Sequence, residues 1–404
     1  MTKSRDTYDV AIAGAGPAGT SAAIHLATQG VRVLLVEQTR FPRAKLCGEF
    51  ISPECLRHFE RLRVADQMIS TGAATLTETV FYSRKGRSVK VPSEWFGANV
   101  RALGLSRAEM DQKLLERAKS AGALVLEETR ASELILDGGR VRGLRLKCGS
   151  EIEDHYALVT IDATGRTRAL ARKLHGRRKP ESRNRYRLVA FKAHLENTQV
   201  AEGACEIYFY PGGYGGLSSV EGGASNFCFI ASAKDVRRCG SDPEAVIRES
   251  VFRNPRAAYT LAHAQARSEW LSVSLESFGR QALIPAEGLL TIGDAAAFID
   301  PFSGSGMLIA LESGELAAWT ITNQLEQMRR NASFAPLAHE YRMGYGKKFD
   351  SRLRICSLLR RAAFVPSLAE AAILFFGTSM RLRRKVARIT RPSQNLETRP
   401  AGVR

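Results

Sequence analysis

The chain of 404 residues is 44% hydrophobic and 25% charged, enough to fill the core of two domains or of one large composite domain. Its 59 Lys and Arg against 41 Asp and Glu leave a formal charge of +18, a surface suited to anionic partners such as a phosphorylated cofactor or an acidic membrane leaflet. Seven scattered cysteines without a CxxC pair argue against a disulfide framework and against a metal site, and suit the reduced thiols of a cytoplasmic protein. No zinc-finger spacing or aromatic-basic signature supports nucleic acid as a partner. Residues 1–7 are short and polar, unlike a signal peptide. The longest apolar tract, 362–376, contains Pro366, Ser367 and Glu370 and falls short of the about 20 residues that cross a bilayer.

Residues 8–13 form a short apolar run ending at Gly14; 20–29 read as a helix closed by Gly30, and 31–36 as a second buried strand. This is a βαβ unit, joined right-handedly by the general rule. Beyond a loop rich in Pro, Arg and Gly, 53–59 reads as helix, and 79–91 alternates around Arg84-Lys85-Gly86 as a hairpin. The stretch 106–121 predicts an amphipathic helix with Met110, Leu114, Leu115 and Ala118 on one face and Ser106 as its N-cap. Strands are expected at 124–126, 139–146 and 157–161, the last ending at Asp162-Ala-Thr-Gly165. After the basic stretch 177–187 the pattern is β-like over 188–233 and 268–282, with turn glycines at Gly212, Gly213, Gly215 and Gly216. A parallel-type strand at 289–292 leads into Gly293-Asp294 and a long helix over about 304–327. From Pro336 the chain reads helical and basic.

Gly14-Ala-Gly16-Pro-Ala18-Gly19 is a GxGxxG placed between a strand and a helix. The first glycine makes the tight turn, the second lets a pyrophosphate approach the backbone, and the third permits close helix–strand packing. The helix N-terminus adds N–H groups and a positive dipole end for phosphates. Glu37 stands 18 residues after Gly19 at the end of the second strand, with Gln38 beside it, where a carboxylate can bind both hydroxyls of a ribose. Together these residues specify a dinucleotide site; a plain glycine turn is the competing reading.

The segment from Gly293-Asp294 through Pro301 and Gly304 to Gly306 follows a strand and opens a long helix. It resembles the GD motif of single-Rossmann flavoprotein monooxygenases, geranylgeranyl reductases and flavin-dependent halogenases. The resemblance implies FAD as cofactor, with Asp294 on the ribityl chain and the backbone of Pro301, Gly304, Gly306 and Met307 along the flavin ring. A helix N-terminus in that place would stabilise the anionic reduced flavin. The resemblance extends to Ser106-Arg107-x-x-Met110-Asp111, in which Arg107 contacts FAD, to Ala131 near the adenine, and to Asp162-x-x-Gly165. An N-capping ion pair for Arg107 and a simple turn for Asp162 are the competing readings. No second GxGxxG is present, so NAD(P)H is expected as a transient reductant at the flavin.

The expected fold class is therefore α/β: a Rossmann-like FAD-binding domain with an inserted, mostly antiparallel β-sheet substrate domain and a helical C-terminus. The FAD-binding domain takes 1–78, 101–180 and 283–330; a substrate-domain hairpin takes 79–100 and the β-sheet substrate domain 181–282. Residues 331–404 form a basic helical C-terminal region.

Lys45-Leu-Cys47-Gly48-Glu49 looks like the Cys-Gly-Gly loop that geranylgeranyl reductases place beside the flavin, with Glu49 in place of the second glycine. On that resemblance Cys47 is the catalytic candidate, a proton donor or a redox thiol, and Arg43 and Lys45 nearby favour a thiolate. A small buried loop cysteine is the competing reading. Tyr208, Tyr210 and Tyr214 either line an apolar pocket or pack in the core. The aromatic strand motifs of the reductases and halogenases are both missing, and Gly304 stands where halogenases carry a serine near the halide.

The first expectation is thus an NAD(P)H-dependent monooxygenase that hydroxylates an apolar aromatic, quinone or polyketide-type substrate through a flavin C4a-hydroperoxide. The alternative is a reductase of isoprenoid or other alkene double bonds. Arg381, Arg383, Arg384, Lys385, Arg388 and Arg391 follow the apolar run 371–376. This segment either attaches peripherally and reversibly to anionic membranes or docks on the protein's own surface.

Overall fold

The computed structural model describes residues 7–96, 101–174, 188–275, 278–300, 304–330, 333–364 and 366–389. Strand β1 (Thr7–Ala13) stops at the glycine turn and feeds helix α1 (Pro17–Thr28), whose proline sits in the first turn where no backbone N–H is needed. Strand β2 (Val33–Val36) lies parallel to β1 with Val10 opposite Val33, which completes the expected βαβ unit. Next come β3 (Phe50–Ile51), α2 (Pro53–Leu62), α3 (Ala65–Ser70) and β4 (Ala74–Leu76). The hairpin forms as β5 (Glu78–Tyr82) and β6 (Ser88–Pro92), followed by β7 (Ala102–Gly104). Helix α4 (Arg107–Ser120) is capped as expected: Ser106 Oγ accepts the Glu109 N–H at 3.2 Å, and Met110, Leu114, Leu115 and Ala118 are buried.

Strands β8 (Leu124–Leu126), β9 (Arg130–Asp137), β10 (Arg140–Cys148) and β11 (Glu151–Asp162) and helix α5 (Ala171–Leu174) complete this part. A second sheet contains β12 (Leu188–Glu196), β13 (Ala204–Tyr210), β14 (Gly213–Ser219) and β15 (Ser225–Ser232). Three short helices, α6 (Ala233–Arg238), α7 (Pro243–Glu249) and α8 (Pro255–Thr260), have no counterpart among the expectations. Then follow β16 (Gln265–Ala266), β17 (Leu271–Leu275), β18 (Gly279–Arg280), β19 (Leu289–Thr291) and β20 (Ala297–Phe298). The chain ends in α9 (Gly306–Arg329), α10 (Ala335–Ala363), α11 (Pro366–Thr378) and α12 (Met380–Ile389).

The first sheet runs β8-β2-β1-β11-β10-β9, with β19 also on β11. Its parallel part, β8-β2-β1-β11-β19, reverses direction of growth between β1 and β11, and open α/β sheets bind ligands outside the carboxyl ends of the strands at such a point. Strand β11 is longer than the sequence suggests because its first half leaves the parallel layer for an antiparallel meander with β10 and β9. Helices α1, α4, α9 and α10 cover one face and share one core with it. The second sheet, β16-β12-β15-β14-β13-β5-β6, is antiparallel except where β13 meets β5, which accords with the expected mostly antiparallel insertion.

One buried histidine makes stability depend on pH. His58 of α2 is 6% exposed, and burial, only partly opposed by the carboxylates of Glu315 and Glu312, holds its imidazole down to about 4. Below its ordinary 6.5 the unfolded chain binds a proton that the folded chain refuses until about 4, so stability falls as pH drops through that window. At about pH 5 the loss is about 2 kcal/mol. Urea unfolding of FAD-saturated protein at neutral and acidic pH should show it, and His58→Gln should shift the difference by about 2 kcal/mol toward greater acid stability. The same difference in parent and variant would assign the effect to other groups.

Candidate functional site

The carboxyl ends of β1, β2, β11 and β19 meet in one crevice. Gly14 has φ 102, and a Cβ there would lie 2.5 Å from the Ala163 carbonyl oxygen, so only glycine lets β1 turn beside β11. A Cβ on Gly19 would overlap the Gly14 carbonyl, which is the close packing of α1 on the turn. Gly16 differs. Its Cβ would meet nothing nearer than the Arg107 guanidinium at 3.8 Å, and the N-terminus of α1 has no side-chain cap. This is an open, positively polarised cradle with the charge a pyrophosphate needs. Ala18 packs behind it: a Cβ on Gly293 would strike the Ala18 methyl at 2.8 Å.

Glu37 is 7% exposed at the end of β2. Its Oε2 accepts the Ala15 N–H at 3.0 Å and its Oε1 the Thr39 hydroxyl at 3.0 Å, so the carboxylate is held at the mouth of the glycine turn. Gln38 beside it is exposed. Arg43 bridges Glu37 at 3.5 Å and Asp111 at 3.2 Å, and Arg107 forks onto Asp111 at 2.8 and 2.7 Å. The ion-pair reading of Arg107 therefore holds, and its guanidinium also faces Gly16. Asp162 behaves as a turn residue, its carboxylate accepting the N–H groups of Thr164 at 3.0 Å and Ala171 at 2.9 Å.

Asp294 follows β19 and is half-buried; burial, partly opposed by Arg107, Arg166 and Lys45, raises its carboxyl to about 6. Gly304 takes φ 59, and Gly306 starts α9 with no atom within 4 Å of a Cβ placed on it. Met307 lies half-buried in the first turn of α9. Ala131 sits on β9, against the core behind β1 and β2. Pro301 lies outside the described residues.

Across the crevice stands the second sheet. Antiparallel register puts Lys192 opposite Cys228 and His194 opposite Asn226, so these four share one face. That face receives the Cys47–Glu49 loop. Asn226 Nδ2 donates to the Cys47 carbonyl at 3.1 Å. Glu49, 1% exposed, meets Lys192 Nζ at 3.1 Å and His194 Nε2 at 2.6 Å, and accepts the Arg107 N–H at 2.9 Å. These contacts, with burial working against them, hold the Glu49 carboxyl below its usual range. Burial pushes the Cys47 thiol up despite the Arg107 guanidinium beside it, so the expected thiolate is replaced by a protonated thiol at neutral pH. Gly48 has open space around it.

The same register divides the three tyrosines. Tyr214 pairs with Phe209 and Ile230 and shares the crevice face, where its hydroxyl donates to the buried Asp300 carboxylate. Tyr208 and Tyr210 point to the other face, in a core covered by α6, α7 and α8. Tyr208 donates to Glu206 at 2.7 Å and Tyr210 to the Ile230 carbonyl at 3.0 Å, so neither lines the crevice. Lys192 and His194 escaped the sequence reading. Their one signal is two basic residues on alternate positions of a strand that is otherwise apolar.

The family model for the FAD binding domain matches residues 7–335 of the chain. The chain belongs to this family. It is an FAD-dependent oxidoreductase of the single-Rossmann group, and the open cradle at Gly16 and the open space at Gly306 fit the cofactor. Among this family member's relatives is the digeranylgeranylglycerophospholipid reductase of Methanosarcina mazei, 29% identical over 324 residues, covering 78% of this chain and 74% of the relative. The menaquinone reductase of Mycobacterium tuberculosis is 28% identical over 386 residues, 90% of this chain and 86% of its own. The flavin-dependent brominase Bmp2 shares the fold with a TM-score of 0.79 at 19% identity, over 95% of this chain and 93% of the other.

Proposed function

We propose that this oxidoreductase reduces carbon–carbon double bonds in an apolar, isoprenoid-type substrate, with NAD(P)H as the transient source of electrons. The observation that carries the reading is an apolar tract on the crevice face of the second sheet. Ala190, Phe209, Tyr214 and Ile230 are joined there by Leu46, next to Cys47, by Phe298, shortly after Asp294, and by Ile373 of α11. This apolar wall borders the cofactor crevice and matches a long hydrocarbon in chemistry. Two relatives, named as reductases of a digeranylgeranyl lipid and of menaquinone, support reduction over the hydroxylation first expected from the motifs.

FAD, when bound and reduced by NAD(P)H, would supply the hydride. In this reading Gly14, Gly16, Ala18 and Gly19 shape the pyrophosphate cradle, Glu37 and Gln38 take the adenosine ribose, and Ala131 flanks the adenine. Arg107 faces the phosphates, Asp294 takes the ribityl chain, and Gly48, Gly304, Gly306 and Met307 line the ring. Cys47 gives its proton to the alkene carbon that does not receive the hydride, and burial favours the thiol form this requires. Anaerobic turnover of a geranylgeranyl lipid with NADPH should yield products heavier by pairs of hydrogens. A product heavier by one oxygen, formed only in air, would replace this reading with hydroxylation.

A lipid substrate also gives the C-terminal helices a role at anionic membranes. Ile373 of α11 is buried, and Arg383 of α12 lies over the Trp95 ring and donates to the Lys90 carbonyl at 3.2 Å, so one side is docked. The other side exposes Leu374, Phe375 and Met380 beside Arg381, Arg384 and Lys385; Arg391 lies outside the described residues. Among the described residues no helix is long and apolar enough to cross a membrane. Each basic residue near an acidic leaflet contributes about 1 kcal/mol. Sedimentation with acidic vesicles should capture the protein at low salt and release it at high salt. Equal recovery with neutral and acidic vesicles would remove the basic helix from the account.

A further inference from the structure

Glu49 occupies a place that its backbone does not favour. Its φ is 51, in the left-handed region that L side chains adopt at a cost, and the resembled loop has glycine there. Its carboxylate is nevertheless buried against two basic side chains from a strand 145 residues away in the case of His194. A strained backbone and a buried charge at one residue, both unfavourable alone, persist when the surroundings specify them together.

The contacts form a grip across two elements. Lys192 and His194 stand on β12, and Asn226 stands opposite His194 on β15. Lys192 and His194 hold the Glu49 carboxylate, Asn226 holds the Cys47 carbonyl, and the Glu49 N–H points to the Cys47 sulfur at 3.4 Å. On the cofactor side the Arg107 N–H donates to Glu49 Oε1 at 2.9 Å, and the Leu105 N–H to its backbone carbonyl at 3.2 Å. Nε2 of His194 lies 2.6 Å from Glu49 and 3.0 Å from Lys192, and a proton on that nitrogen directs it to Glu49. Lys192 then donates to Glu49 Oε1, which leaves the carboxylate with a partner on each oxygen.

We propose that Glu49, Lys192 and His194 are positioning residues that clamp the Cys47–Gly48 turn to the substrate-bearing sheet, so that this sheet sets the place of the Cys47 thiol. The clamp stands on geometry alone; its effect on turnover rests on the reading of Cys47 as proton donor. Site-resolved alkylation of the FAD-loaded protein by iodoacetamide, read by peptide mass spectrometry, measures the clamp, with the exposed Cys148 as internal control. Lys192→Met and Glu49→Gly should each speed alkylation of Cys47 by about tenfold or more through local opening of the turn, with Cys148 unchanged. Glu49→Gln combined with Lys192→Met leaves no stranded charge, so it should melt close to the parent yet still alkylate fast. The turnover number of all three should fall by a similar factor with little change in KM. Parent-rate alkylation in the folded double variant would overturn the clamp. Fast alkylation with undiminished turnover would leave the clamp standing and overturn the role of Cys47.

Discussion

Gly16→Leu is expected to strip the protein of FAD while leaving it folded. The glycine has ordinary backbone angles for any residue, φ −73 and ψ −179, and no protein atom but the Arg107 guanidinium lies within 4 Å of a Cβ there. A leucine therefore folds without strain and fills the space over the N-terminus of α1. Affinity for FAD should drop by at least about a hundredfold, about 2.7 kcal/mol, because the pyrophosphate loses its approach to the backbone N–H groups. Gly14→Ala should fail differently. At φ 102, with the Ala163 carbonyl 2.5 Å from its Cβ, it should destabilise the turn itself and lower the melting temperature. The flavin-to-protein absorbance ratio after gel filtration, beside a circular-dichroism melt, separates the two. Full flavin retention by Gly16→Leu would reduce the motif to a structural turn.

Arg107→Met should cost both stability and cofactor. Asp111 is fully buried, and Arg107 gives it two of its hydrogen bonds, at 2.8 and 2.7 Å. Removing the cation strands a buried carboxylate, at a cost of about 3 kcal/mol, the low end of the usual range because Arg43 still reaches Asp111. Adding Asp111→Leu should recover most of that stability, since it removes the stranded carboxylate while Arg43 keeps Glu37 as its partner at 3.5 Å. FAD affinity should stay low in the double variant, because nothing then faces Gly16 with positive charge. Recovery of both properties together would make Arg107 a purely structural ion-pair member.

These expectations draw unequally on the sequence. The Gly14–Gly19 turn, Glu37 and the Gly293-Asp294 segment were legible because each is a local device, a turn or strand end written within a few consecutive residues. The Ser106 cap and the buried face of α4 were legible for the same reason, since helical period and capping chemistry are local. The meander of β9, β10 and β11 was only partly legible. A strand that passes from a parallel layer into an antiparallel one changes its burial pattern midway, and β11 shows the change, exposed at 151–154 and buried at 159–162.

The tyrosines show where local pattern fails. Alternation placed Tyr208 and Tyr210 on one face of β13, but which face meets the crevice depends on the helices packed behind the sheet. Helices α6, α7 and α8 claim that side, and Tyr214 reaches the crevice because the turn between β13 and β14 reverses the chain. Cys47 likewise changed character. Sequence neighbours Arg43 and Lys45 suggested a thiolate, whereas burial raises the thiol and the cation beside it is Arg107.

By itself, then, the sequence determined a Rossmann-type FAD site with a β-sheet insertion and a basic helical end, all properties carried by contiguous segments. The tertiary structure alone decided which side chains face the crevice. Glu49, Lys192 and His194 converge only when β12 is registered against β15 and that sheet is set against the loop after β2. Register and packing are collective choices of many apolar contacts, and no short stretch of chain contains them.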